Sequence, residues 1–105
     1  MLSDDRAQKA LVYLAETDEL CAEAKANAER MEFKAKAIRQ AIFLHSEGTV
    51  AERTAIAETH QDYAAAMEEY FVAIRQYAHT MNKRDTEKIV MDTWRTICAN
   101  RRRGE

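Results

Sequence analysis

The chain has 105 residues, with two glycines, no proline, two cysteines and a formal net charge of −2. A β-rich fold needs a turn signal about every ten residues, and this chain has almost no turn material, so that class is excluded. The near-neutral balance argues in the same way against a protein that coats nucleic acid by bulk charge alone.

This length holds one domain, and the heavy use of Ala, Glu, Arg, Lys and Met favours helix throughout. Charge is unevenly spread: residues 1–30 carry four basic and seven acidic groups, residues 31–81 five and seven, residues 82–105 seven and four. The C-terminal end is therefore basic on an otherwise acidic chain. Cys21 and Cys98 lie far apart with no CxxC spacing, which reads as a pair of reduced intracellular thiols. The start, Met1-Leu2-Ser3-Asp4-Asp5, has neither the basic opening nor the apolar core of a signal peptide. Apolar stretches run to about four residues, against the roughly 20 that cross a bilayer. A cytoplasmic protein without membrane contact is expected.

In chain order, helix 1 is predicted over about residues 4–46. Ser3, Asp4 and Asp5 supply side-chain acceptors and negative charge for its start. Apolar or small residues then alternate at steps of three and four, the spacing of a coiled-coil seam: Ala7, Ala10, Leu14, Thr17, Cys21, Ala24, Ala28, Met31, Ala35, Ile38 and Ile42, with His45 as its last member. A tight turn is predicted at 46–49, with Gly48 in the left-handed position that ends a helix. Thr49 and Glu52 form a Thr-x-x-Glu capping box that opens helix 2 over about 50–81. Its apolar set is Ile56, His60, Tyr63, Ala64, Met67, Tyr70, Phe71, Ile74, Tyr77, Ala78 and Met81. Asp85 and Lys88 then fall where that stripe should continue, and Asn82 is a candidate cap. A kink or break near Asn82–Asp85 is expected, followed by a C-terminal helix over about 83–100 and a basic tail at 101–105. An unbroken helix with a shifted face is the alternative.

The expected architecture is thus all-α: one domain, a long antiparallel helical hairpin, assembling into a helical bundle. In a hairpin turning near residue 48, facing positions sum to about 95. Cys21 then meets Ile74, Ala28 meets Met67, and Thr17 meets Tyr77 or Ala78, small against large. Trp94 onward overhangs the end of helix 1. The thin core of one hairpin, with the off-stripe Val12, Phe33, Ala37, Phe43 and Leu44, predicts a homo-oligomer, a dimer first. Phe33, Phe43 and Leu44 are its candidate oligomer or partner surface.

Catalytic signatures are missing from the pattern. His45, His60 and His79 show no Glu-x-x-His or His-x-x-x-His spacing, so no metal site is predicted. No Gly-rich phosphate loop occurs, and Glu68 and Glu69 are adjacent and point apart. The expectation is a protein with no enzymatic activity, no cofactor and no small-molecule substrate. The tyrosines at 63, 70 and 77 could stack bases, but at that spacing they read better as core. The segment with most binding character is Trp94-Arg95-Thr96-Ile97-Cys98-Ala99-Asn100-Arg101-Arg102-Arg103. Arginine forks suit phosphate and carboxylate, and Trp is a favoured interface anchor. Trp94, Arg95, Arg101, Arg102 and Arg103 are therefore the candidate nucleic-acid or partner contacts. The same basic residues would also serve simply to offset the helix dipole.

The segment from Ala41-Ile42-Phe43-Leu44-His45 through Gly48-Thr49-Val50-Ala51-Glu52-Arg53, together with the Trp94-to-Arg103 ending, resembles small helical proteins of tailed phages and prophages. Such proteins are encoded among early genes of DNA metabolism and recombination. The resemblance implies an accessory factor near DNA-handling machinery, binding nucleic acid or a nucleoprotein complex, and carries over no catalytic residue. An adaptor or inhibitor of a host or phage enzyme, without DNA contact, is the alternative.

Overall fold

The structure is a computed structural model and describes residues 2–104. Three helices follow one another: α1 (Asp4–His45), α2 (Val50–Thr59) and α3 (Gln61–Gly104), with no strand among the described residues. The fold is all-α, an antiparallel helical hairpin.

Its ends are closed by side chains. Ser3 starts α1: its hydroxyl accepts from Arg6 N–H at 3.1 Å and its carbonyl from Ala7 N–H at 3.1 Å. At the other end side chains reach three carbonyls of the last turns. His45 Nδ1 lies 2.9 Å from the Ala41 carbonyl, the Ser46 hydroxyl donates to Ile42 O at 2.6 Å, and Arg53 Nε donates to Phe43 O at 3.1 Å. Gly48 turns the chain at φ +118°, a backbone conformation that side chains resist, and a Cβ there would stand 2.7 Å from Glu52 Oε2. Thr49 caps α2 by accepting from Glu52 N–H at 3.1 Å, and its hydroxyl donates to Glu52 Oε1 at 3.2 Å.

The break in the second arm falls at His60, not at Asn82–Asp85. His60 takes extended angles, φ −69° and ψ 138°, between α2 and α3. It opens α3: His60 Nδ1 accepts from Asp62 N–H at 3.0 Å and its carbonyl from Ala64 N–H at 3.1 Å. The imidazole therefore does the work of a Ser or Asp cap. Residues 82–85 lie inside the unbroken α3, which is the shifted-face alternative. Arg101, Arg102 and Arg103 continue the same helix instead of forming a tail, and Glu105 lies outside the described residues.

The sequence points to one domain, and the contacts divide into two compact units. One joins the residues up to Ala22 with those from Ala78 on; the other is Glu23–Tyr77. The α1 seam follows the spacing from Ala7 to Ile42, every one of those members being buried or half-buried, but not to its predicted end, where His45 is exposed at the last turn of the helix. On α3 the buried line is a different one. It steps by three and four from Ala66 and Tyr70 through Ala73, Tyr77 and Thr80, then passes straight through Arg84 and Glu87 to Trp94 and Cys98. Small residues dominate on both helices: Ala7, Ala10, Ala28, Ala35, Ala66 and Ala73 are buried, and among the described residues no large side chain is fully enclosed. A buried methyl contributes roughly 0.8 kcal/mol, so such a seam depends on close helix approach and on the contacts along its edges.

The pairing is also offset from the predicted one. Cys21 meets Met81 (Sγ to Sδ 3.3 Å) instead of Ile74, and Thr17 meets Arg84 instead of Tyr77 or Ala78. Within the other unit Ala28 shares a groove with Tyr70, Ile74 and Tyr77 instead of packing on Met67. Each shift is one heptad along α3. Beside the turn the expected pairing survives, with Arg39 on Glu58 at 2.7 Å and Arg53 on Phe43. Lys34 already pairs with Glu69 at 2.8 Å, so the offset enters across the His60 break. There the chain spends residues without matching advance along α1. No helix among the described residues is long and apolar enough to cross a membrane.

Candidate nucleic-acid and partner interface

The basic end of the chain is built on the last turns of α3, and the one-heptad offset decides what is free there. Trp94 does not overhang α1. Its indole Nε1–H donates to Asp4 Oδ1 at 2.8 Å, and it closes a groove lined by Ala7, Gln8, Leu11 and Met91. Trp94 is half-buried and is spent on the chain's own N-terminal turn. Arg95 is exposed and leans on Asp92 at 3.5 Å, one turn earlier.

Arg101, Arg102 and Arg103 differ. All three are exposed and none makes an ion pair with a described residue. Elsewhere most cations are taken: Arg6 by Glu87, Lys9 by Asp5, Lys34 by Glu69, Lys36 by Glu32, Arg39 by Glu58, Lys88 by Asp85. Consecutive residues on a helix are 100° apart, so the three arginines fan over more than half its circumference. Arg102 stands two turns beyond Arg95, and Lys88 two turns before it, in one line. The acidic Asp85 and Asp92 partly neutralise the earlier members of that line. The free positive charge is therefore concentrated at 101–103.

The predicted apolar surface also divides. Phe33 is 74% exposed and Leu44 61%, and their eleven-residue separation puts both on the outer face of α1. Phe43 points elsewhere: the Arg53 guanidinium lies 4.4 Å from its ring centroid, and the ring helps line a groove with Gln40, Val50 and Ala57 at the turn. It belongs to the hairpin's own closure.

Sequence reasoning missed the Arg84 cluster. Arg84 is 8% exposed, the one buried charged residue among those described. Its Nη1 donates to the Leu14 carbonyl and to Thr17 Oγ1, each at 2.8 Å, and Nη2 reaches Asp18 Oδ1 at 3.3 Å. Beside it Arg6 and Glu87 form a two-pronged pair at 2.7 and 2.8 Å. Hydrogen bonding to Arg6 holds the Glu87 carboxyl below its ordinary value and raises Arg6. The available signal was Thr17, the only hydroxyl in the α1 stripe, which calls for a polar partner across the seam. No group of three His, Cys, Asp or Glu side chains among the described residues is placed to hold a metal ion. Comparisons with family models, with curated proteins and with solved structures each returned no match.

Proposed function

We propose that this chain is a non-enzymatic phage or prophage accessory protein that docks on nucleic acid, or on a recombination or replication nucleoprotein complex, through the arginine end of α3. The supporting observation is the run Arg101-Arg102-Arg103, three exposed guanidinium groups that no acidic side chain of the described chain neutralises. Contacts of this kind go to phosphates, read no sequence and release counterions. Arg95 and Lys88 extend the line at lower strength, because each is shared with an aspartate. Trp94 is not counted as a base-stacking residue, since its indole is bonded to Asp4.

The test is a fluorescence-anisotropy titration against single- and double-stranded DNA at several salt concentrations. Three phosphate contacts predict a log–log salt slope of about −3 on duplex. The triple variant Arg101→Ala/Arg102→Ala/Arg103→Ala loses the binding, and Trp94→Phe keeps it. Salt-insensitive binding, or binding unchanged in the triple variant, sinks the reading.

Phe33 and Leu44 support a second reading, an adaptor or inhibitor that meets a protein through the outer face of α1. In that case Phe33→Ser with Leu44→Ser abolishes the function and the arginine variant does not.

A further inference from the structure

One apolar line on α3 is only partly covered by the hairpin, with Met81 touching Cys21 and Ile74 edging the Ala28 groove. Ala64, Met67, Phe71, Ile74, Ala78 and Met81 recur at steps of three and four, about a quarter turn from the buried seam. Phe71 is 48% and Ile74 37% exposed, and Ala64 and Ala78 are exposed. The line ends where Asp85 and Lys88 take its next positions.

We propose that this line is an interface with a second copy of the same chain, α3 packing antiparallel on α3 about a two-fold axis between Phe71 and Ile74. The order of sizes is palindromic. In that register Ala64 meets the partner's Met81, Met67 meets the partner's Ala78, and Phe71 meets the partner's Ile74. Small faces large at both ends and two large side chains meet at the centre, the pattern that fills a seam without voids.

The charges along the edge follow the same symmetry. Glu68 comes opposite the partner's Arg75, and Arg75 opposite the partner's Glu68, while Gln61 comes opposite the partner's Asn82. Glu68 and Arg75 are both exposed, and neither makes an ion pair within the described residues. Seven residues apart on one helix, they are too far to serve each other. A parallel arrangement would set Glu68 and Arg75 beside the partner's Tyr63 and Tyr70 and pair neither charge, so the charges favour the antiparallel one. The pairing does not depend on nucleic-acid binding.

Sedimentation equilibrium of the full chain from low to high micromolar concentration tests this, with circular dichroism as the check that each variant is folded. The wild type is a dimer and Phe71→Glu is a folded monomer. Glu68→Arg and Arg75→Glu each weaken association on the order of tenfold or more by facing like charges. The double variant Glu68→Arg/Arg75→Glu recovers it. A monomeric wild type at the highest concentration overturns the proposal. So does a dimer indifferent to Phe71→Glu, or a double swap no better than the singles.

Discussion

The two units use the same pair of helices and hold them together by different chemistry. In Glu23–Tyr77 the partners are joined by a turn, and the contacts beyond it are generic: alanines, half-buried tyrosines and exposed ion pairs such as Lys34–Glu69. In the other unit no turn is near, and specific polar contacts appear: Arg84 on Thr17 and Leu14, Arg6 on Glu87, Trp94 on Asp4. An alanine seam repeats every heptad, so by itself it tolerates a slip of seven residues. Close to the turn the covalent connection limits such slips. Far from it, one polar layer that matches in a single register does so, as a buried asparagine does in paired helices.

The largest expected effect breaks that layer. Arg84→Ala leaves a cavity, and removes the donor that Thr17 and the Leu14 carbonyl share; we expect a loss of about 2–3 kcal/mol in urea denaturation. Arg84→Leu sharpens the comparison. The leucine refills the space but, like alanine, gives no donor to Thr17 and the Leu14 carbonyl, so it should recover only the cavity part of the Arg84→Ala loss. Register discrimination goes with the guanidinium, and the amide NMR spectrum should show more than one set of resonances for the unit that contains residue 84.

The next effects lie in the other unit and act through backbone geometry. Gly48→Ala must hold a side chain at φ +118° beside Glu52, and should cost about 1–2 kcal/mol in the same denaturation. His60→Ala removes the acceptor for Asp62 N–H at the start of α3, worth about 1 kcal/mol, and His60→Ser should recover most of it. If His60 also sets the heptad offset, deleting it should do more than lower stability: the Lys34–Glu69 pairing should change.

What the sequence made legible follows the same division. The α1 stripe, the Gly48 turn and the Thr49 cap could be read directly, because alanine spacing, a glycine and a Thr-x-x-Glu box are local signals. The α3 seam could not. Reading by size selects Phe71 and Ile74, which are exposed, over Ala66 and Ala73, which are buried. The polar pair Arg84 and Glu87 then looks like an interruption when it is the seam itself. Histidine is an uncommon cap and asparagine a common one, so the pattern places the break at Asn82. In that displaced register Trp94 overhangs α1 and the arginines form a tail. At the candidate site, residue identity and exposed charge were legible; which of the five residues the fold leaves free was not.

The smallest effect separates the two polar pairs in the Arg84 unit. Glu87 is held below its ordinary carboxylate value chiefly by the hydrogen bond from Arg6, so its charged form is favoured in the folded state. Its contribution is therefore present above the ordinary value of 4.5 and is lost as pH falls through the lower, folded value. Arg6 stays charged across that range and adds nothing to the slope. Thermal melts of the wild type and of Glu87→Gln should differ most at neutral pH and converge as the solution is acidified. The Arg84 layer should give no such convergence: its two short bonds go to a carbonyl and a hydroxyl, neither of which titrates, and its one acidic partner, Asp18, is 84% exposed. An Arg84→Ala deficit that shrinks with acid as the Glu87→Gln deficit does would mean that Asp18, not the neutral pair, holds Arg84 in place.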